Sequence, residues 1–448
     1  MPQLGPYPAH FIKYDKRGEA DDRGHANDLQ DFVGQGAFDD LLVISHGWRN
    51  DAAEAESLYA AICSQISALR EGDSAAAQAL AGRKVGVMAV FWPSKPYREF
   101  GAERAQLGGA ASGATREEEM QALADTALAD LSDALDGEVE AGKLNRLQAR
   151  AAAAFADRDA FPSFFNALRD ALPEDETAAE RSDKAAFGSA RVAEEVRAQI
   201  EAFAMAESGL GPVDFQQGGA AGGPVRTARA SVGLLLNLST FYTMKRRAGY
   251  VGQRGVARSL RGLRDARPGL RIHFVGHSFG ARVLTMATQT IEGDAAARPD
   301  SLCLLQAAFS QNSFSARFPP GYRAGYFRPV MEDELVAGPI LVSHTHNDLA
   351  VTWAYSLASL VSGQNASSLS DGAPSQYGGL GANGALYTDE AQDGALLPAG
   401  GGPYDLQSGR IYNLLADAFV KGHADIRGPE VGFAILSAMA ASVSEGTA

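Results

Sequence analysis

The chain has 448 residues, 46% of them hydrophobic and 21% charged, so it can bury a large core and is neither disordered nor fibrous. With 40 basic residues against 54 acidic ones, the formal net charge is -14, which repels nucleic acid and anionic membranes. Two cysteines, Cys63 and Cys303, make no disulfide framework, and each falls in an apolar element where a small core residue is expected.

The opening segment lacks the positive and continuous apolar regions of a signal peptide, so a cytoplasmic location is expected. The longest apolar run, beginning at Val232, falls well short of the ~20 residues that span a bilayer. Residues 11–14 predict an early strand. Residues 41–44 predict a clearer one, running into Ser45-His46-Gly47-Trp48. Residues 52–69 have the three-and-four apolar spacing of a helix, and 85–91 are an all-apolar strand stopped at Trp92-Pro93-Ser94. Strands apolar on both faces belong to a parallel sheet covered by helices on both sides.

That regularity then breaks for about 175 residues, far more than a crossover helix needs. Segments 117–135, 141–156, 161–172 and 185–206 predict helices, and Gly-rich 217–224 predicts a hinge. The expected organisation is therefore a core of 1–99 and 216–448 with a helical cap or accessory insertion at 100–215. The same helices could instead pack on the outside of the sheet. A helix at 231–245 is read as buried or as a wall of an apolar pocket. The basic stretches, Lys245-Arg246-Arg247 and the series Arg258, Arg261, Arg264, Arg267, are explained by a solvated helix face, and no nucleic-acid partner is expected.

The sheet pattern resumes with strands at 272–275, 301–305 and 339–342 and helices at 281–291 and 349–360. Residues 362–409, rich in Gly, Ser, Asn and Gln, predict a long surface loop within the core. Residues 431–441 predict a closing helix.

Gly276-His277-Ser278-Phe279-Gly280 follows the strand at 272–275 directly and leads straight into a helix. So abrupt a turn forces the serine into a strained backbone, and the flanking glycines remove side chains that would collide with it. Oγ then stands clear at a helix N-terminus, whose partial positive charge favours an oxyanion beside it. This pattern resembles the nucleophile elbow of the α/β-hydrolase superfamily over about 60% of the chain. The resemblance implies an α/β-hydrolase fold with an eight-stranded, mostly parallel sheet flanked by helices. It also implies a Ser, Asp or Glu, His triad in that chain order.

Ser278 needs a base, and the base needs a carboxylate to fix its tautomer. Of the eight histidines only His423 lies late in the chain, in a loop after the last strand. Asp348 follows a strand and precedes a helix, so it is the expected acid, although an Asp there also suits a helix N-cap. Asp425 is the rival acid. His344 and His346 could suggest a metal pair with Asp348, but no metal-binding pattern supports it, and the chemistry requires neither metal nor organic cofactor. By the resemblance, one oxyanion donor is the Phe279 N–H and the other is Gly47 or Trp48, with His46 orienting that loop. His277 reads as a packed neighbour. The expected activity is hydrolysis of a carboxylic ester, from a small-molecule or lipid substrate. Phe309, Phe314, Phe318, Tyr322, Tyr326 and Phe327, on segments that could approach the site, favour an apolar acyl group. Amidase, thioesterase or acyltransferase chemistry uses the same triad, and an interaction protein that kept the fold without turnover is the alternative of a different class.

Overall fold

A computed structural model describes residues 2–20, 25–48, 50–94, 160–171, 243–291, 293–294, 297–318, 324–348, 351 and 378–444, with parts of 140–150. The chain divides into two compact units. The larger comprises Met1–Ser94, Lys245–Tyr355 and Pro374–Ala448; the smaller comprises Lys95–Met244 and Ser356–Ala373.

The larger unit is built on a nine-stranded sheet. Its strands are β1 (Gln3–Leu4), β2 (Tyr7–Lys13), β3 (Asp40–Ser45), β4 (Val85–Phe91), β5 (Arg271–His277), β6 (Ser301–Leu305), β7 (Ile340–His344), β8 (Ala391–Ala395) and β9 (Ile411–Leu415). Their spatial order is β1-β2-β4-β3-β5-β6-β7-β9-β8. Only β1 pairs antiparallel, through Gln3 opposite Pro8; every other pairing is parallel. Among the described residues the sheet has one strand more than the eight that the resemblance implied, and it is mostly parallel, as expected.

Every residue of β3, β4, β6 and β7 is buried. Four helices are central to this unit: α1 (His25–Gly36), α2 (Ala52–Arg70), α3 (Phe279–Thr290) and α4 (Pro429–Ser444). On one face α2 packs against α4. Leu58, Ile62 and Ile66 of α2 and Ile435 and Met439 of α4 close a core over Leu42, Ile44, Val87 and Ala89. Alternate residues of β3, Leu41 and Val43, point the other way and are equally buried. A π-helical turn, Val251–Val256, packs against α3.

Three differences from the sequence expectation have local causes. Strand β2 starts four residues earlier than expected, because Pro8 is tolerated at the start of a strand beside a two-residue edge strand. Helix α1 was not anticipated, although Leu29, Phe32 and Val33 are its buried stripe at helical spacing. Within 362–409, residues 378–409 are not all loop: they include the short helix Leu380–Asn383 and the edge strand β8. Being an edge with exposed side chains, β8 needs no apolar pattern, so its sequence gave no signal.

In the smaller unit, Phe161–Ala171 is a helix with Phe164, Phe165 and Ala167 buried. The chain thus leaves the sheet after β4 and returns at β5 by way of a long insertion, whose described residues include this helix. The expected helices at 117–135 and 185–206, the hinge at 217–224 and nearly all of the helix at 349–360 lie outside the described residues. Among the described residues no helix is long and apolar enough to cross a membrane.

Candidate active site

Strand order places the site. From β3 the chain builds outward to β4 and β2 on one side, and from β5 outward to β6, β7 and β9 on the other. The connections that leave the carboxyl ends of β3 and β5 therefore run on to opposite sides of the sheet, which makes this the switch point where ligands bind in parallel α/β sheets. Ser278 follows β5 there, and His46-Gly47-Trp48 follows β3, with Ser45 in register with Gly276. Asp348 and His423 come from the loops after β7 and β9, which are paired with His344 opposite Leu415.

Ser278 has φ +56° and ψ -122°, a backbone that L residues rarely adopt and that costs roughly 1–3 kcal/mol. The surroundings hold it there. Its N–H donates to the Leu305 carbonyl at 3.0 Å, and its own carbonyl accepts from Ala281 N and Ala308 N at 3.2 Å each. The adjacent glycines leave no alternative residue. A Cβ on Gly280 would lie 2.1 Å from the Ser45 carbonyl oxygen, and one on Gly276 would lie 2.5 Å from Ala281 Cα. Phe279 begins α3, so the helix N-terminus lies beside the serine.

His423 Nδ1 donates to Asp348 Oδ2 at 2.8 Å, and Ser278 Oγ donates to His423 Nε2 at 2.8 Å. The carboxylate can only accept, so it fixes the tautomer that leaves Nε2 bare toward the serine. Asp348 is fully buried, whereas 24% of the His423 side chain is exposed, so the imidazole reaches solvent while the carboxylate does not. The other Asp348 oxygen accepts from Val351 N at 2.9 Å, so this one residue also makes the N-cap contact. Asp425, the rival acid, is engaged differently: its Oδ2 accepts from Lys421 N at 2.9 Å, closing the turn that carries His423.

The loops that carry Asp348 and His423 are also stitched to one another. Thr345 Oγ1 and His346 N donate to Asp417 Oδ1 at 2.8 and 2.9 Å, and Asn347 Nδ2 donates to the Val420 carbonyl at 2.9 Å. Burial alone would raise the Asp417 carboxyl, but hydrogen bonds from His346 and Thr345 hold it down at about 2. His346 Nδ1 thus meets Asp417 Oδ2 at 2.8 Å, on the surface, and does not face Asp348.

Across the crevice, a Cβ on Gly47 would come within 2.6 Å of Ser278 Cβ, so only glycine allows the loop to lie against the serine. The Gly47 carbonyl accepts from His46 Nδ1 at 2.9 Å and from Asn50 Nδ2 at 3.3 Å. Since a trans peptide sets C=O and N–H in opposite directions, anchoring this carbonyl also fixes the direction of the Trp48 N–H. Burial pushes His46 down to about 4, and its Nε2 accepts the Trp92 N–H at 3.3 Å, so it works as a neutral ring. Tyr59 on α2 accepts the His46 N–H at 2.7 Å, and Trp92 Nε1 donates to the His46 carbonyl at 3.0 Å. Neither Tyr59 nor Trp92 carried a sequence signal for this role.

No protein-family model, curated protein or solved structure matches the chain.

A second Ser-His-Asp arrangement lies at the opposite ends of the central strands. His273 Nδ1 meets Ser301 Oγ at 2.9 Å, and His273 Nε2 meets Asp40 Oδ1 at 3.1 Å. Although the geometry is triad-like, none of the three is more than 1% exposed, and Arg83 clamps the carboxylate with Nε at 2.7 Å and a second nitrogen at 2.9 Å. Burial alone would raise the Asp40 carboxyl, but the bonds from His273 and Arg83 overcome it and hold the group below its ordinary value. A serine sealed from solvent has no room for a substrate, so this set is a buried clamp between β3, β5 and β6.

The expected aromatic lining is corrected in part. Phe309, Phe314 and Phe327 are fully buried and pack on one another, with ring centroids 5.2–6.1 Å apart. They belong to the interior. Trp48, half-buried beside the serine, is the aromatic residue at the crevice; its ring centroid lies 6.3 Å from that of Phe279, which is itself fully buried. Tyr322 lies outside the described residues.

Proposed function

We propose that the protein is a serine hydrolase of the α/β-hydrolase type that cleaves a carboxylic ester. The observation that carries this reading is the unbroken chain Asp348–His423–Ser278, with 2.8 Å at each link, at the carboxyl ends of three parallel strands. Ser278 Oγ attacks the acyl carbonyl while His423 Nε2 takes its proton. The charge that develops on the carbonyl oxygen meets the Phe279 N–H and the N–H of Gly47 or Trp48, of which the anchored Gly47 carbonyl favours Trp48. Each donor contributes roughly 3 kcal/mol in the transition state. His423 then protonates the leaving alkoxide, and a water activated by the same ring releases the acid. Neither a metal nor an organic cofactor takes part in these steps.

The half-buried Trp48 ring beside the serine supports an apolar acyl group, from a small-molecule or lipid ester. A fluorophosphonate should label the wild type covalently and leave Ser278→Ala unlabelled; a folded wild type that resists the probe overturns the proposal. A panel of esters of graded acyl length, run beside matched amides and thioesters, then assigns the substrate class.

A further inference from the structure

The nucleophile and its base sit on elements 145 residues apart, yet their 2.8 Å contact must hold to within a few tenths of an ångström. The His423 loop is a surface turn. The Lys421–Asp425 bond closes it from within, and Asn347 fastens its start. One contact reaches it from the strand that carries the serine. His277, the last residue of β5, brings its ring Nε2 within 2.8 Å of the His423 main-chain carbonyl.

We propose that His277 is a positioning residue: its Nε2–H pins the His423 backbone, so that one strand end sets both the nucleophile and its base. This rests on the hydrolytic reading above, since a fixed Ser–His distance matters only if the serine reacts.

The chemistry of the contact identifies the tautomer. A carbonyl only accepts, so Nε2 carries the hydrogen and Nδ1 is bare. Nδ1 is buried and has no partner among the described residues. It faces Gly47, where a Cβ would lie 3.0 Å away. An unpartnered buried acceptor destabilises a fold, and an apolar side chain of similar size would avoid that penalty. The Nε2 bond is the property an apolar residue could not supply.

His277 also has to stay neutral. Its ring centroid is 4.9 Å from that of His423, so a charge on it would oppose the imidazolium that forms when His423 takes the serine proton. Burial, and then the facing charges of His423, His46 and Arg427, push His277 down to about 3, against the opposing pull of its bond to the His423 carbonyl. It therefore holds the base without competing for its proton.

Three variants separate the bond from packing. Glutamine places its amide nitrogen near the position of Nε2, asparagine places the same group near Nδ1, and leucine has no donor. Two readouts are used: the rate of fluorophosphonate labelling, and the low-field proton NMR signal of the His423 Nδ1–H bonded to Asp348. His277→Gln should keep most of the labelling rate and the signal. His277→Asn and His277→Leu should label about tenfold more slowly, as expected for one lost buried hydrogen bond, with the signal broadened or lost. Equal rates and equal signals in the Gln and Asn variants overturn the positioning role, and so does a Leu variant that matches the wild type. Should the wild type resist the probe, the hydrolytic reading falls, while the NMR signal still decides whether His277 holds His423.

Discussion

Replacing Gly47 with alanine tests the construction of the crevice with a single methyl group. The new Cβ would lie 2.6 Å from Ser278 Cβ, 3.0 Å from His277 Nδ1 and 3.2 Å from the His277 carbonyl oxygen. Carbon atoms in ordinary contact sit about 3.5–4.0 Å apart, so one side of the crevice must retreat by roughly 1 Å. Neither side can do so freely. Ser278 is bonded through its N–H to Leu305 and through its carbonyl to Ala281 and Ala308. The Gly47 carbonyl is bonded to His46 and Asn50, and His46 is itself held by Tyr59 and Trp92. Overpacking of this kind costs about 1–3 kcal/mol of stability. The same displacement moves the oxyanion donor away from the serine, and a shift of that size lowers turnover about 100-fold. The assay pairs the fluorophosphonate labelling rate with thermal unfolding of the same sample. A Gly47→Ala protein that unfolds cooperatively near the wild-type temperature and labels at the wild-type rate would refute the placement of this loop against the nucleophile.

Asp348→Asn should remove the acceptor that fixes the His423 tautomer and lower ester hydrolysis by roughly 10⁴-fold, whereas Asp425→Asn, which keeps an oxygen for Lys421 N, should stay within a fewfold of wild type; the reverse ranking in initial rates would reassign the acid. Asp40→Ala should cost about 3–5 kcal/mol in urea unfolding at neutral pH, toward the lower end because Arg83 is partly exposed. The Asp40 carboxyl is held below its unfolded value, so its contribution is fully present above pH ~4 and is lost as the pH falls from there through the lower folded value. The gap between wild type and Asp40→Ala should close over that acidic range; a gap independent of pH would show that the buried clamp is not electrostatic.

The elbow is legible in sequence because all of its physics is local. Gly276, Ser278 and Gly280 stand within five residues of one another, and the strand before them and the helix after them announce themselves by apolar pattern. The helical stripe Leu29-Phe32-Val33 was as legible but sat in a polar stretch. The edge strand β8 was not legible, because an exposed edge buries too little to need a pattern. His423 could be named by elimination among eight histidines, and Asp348 was preferred to Asp425 because it follows a strand and precedes a helix. Asp425 is the nearer in sequence and bonds the main chain of its own turn, while Asp348 is 75 residues away and meets the ring.

By itself, then, the sequence determined a parallel α/β core with a strained serine poised at the start of a helix. Strand order decided the rest. It put the carboxyl ends of β3 and β5 side by side at a switch point, and it brought the ends of β7 and β9 together, so that a carboxylate and an imidazole from distant segments meet one serine. The same order set His273, Asp40 and Ser301 at the opposite ends of the strands, where a similar trio of side chains is sealed from solvent. The physical reason is that spacing along the chain fixes which face and which end of a strand a residue occupies. Which other strands lie beside it is fixed only when the whole sheet buries its two faces at once.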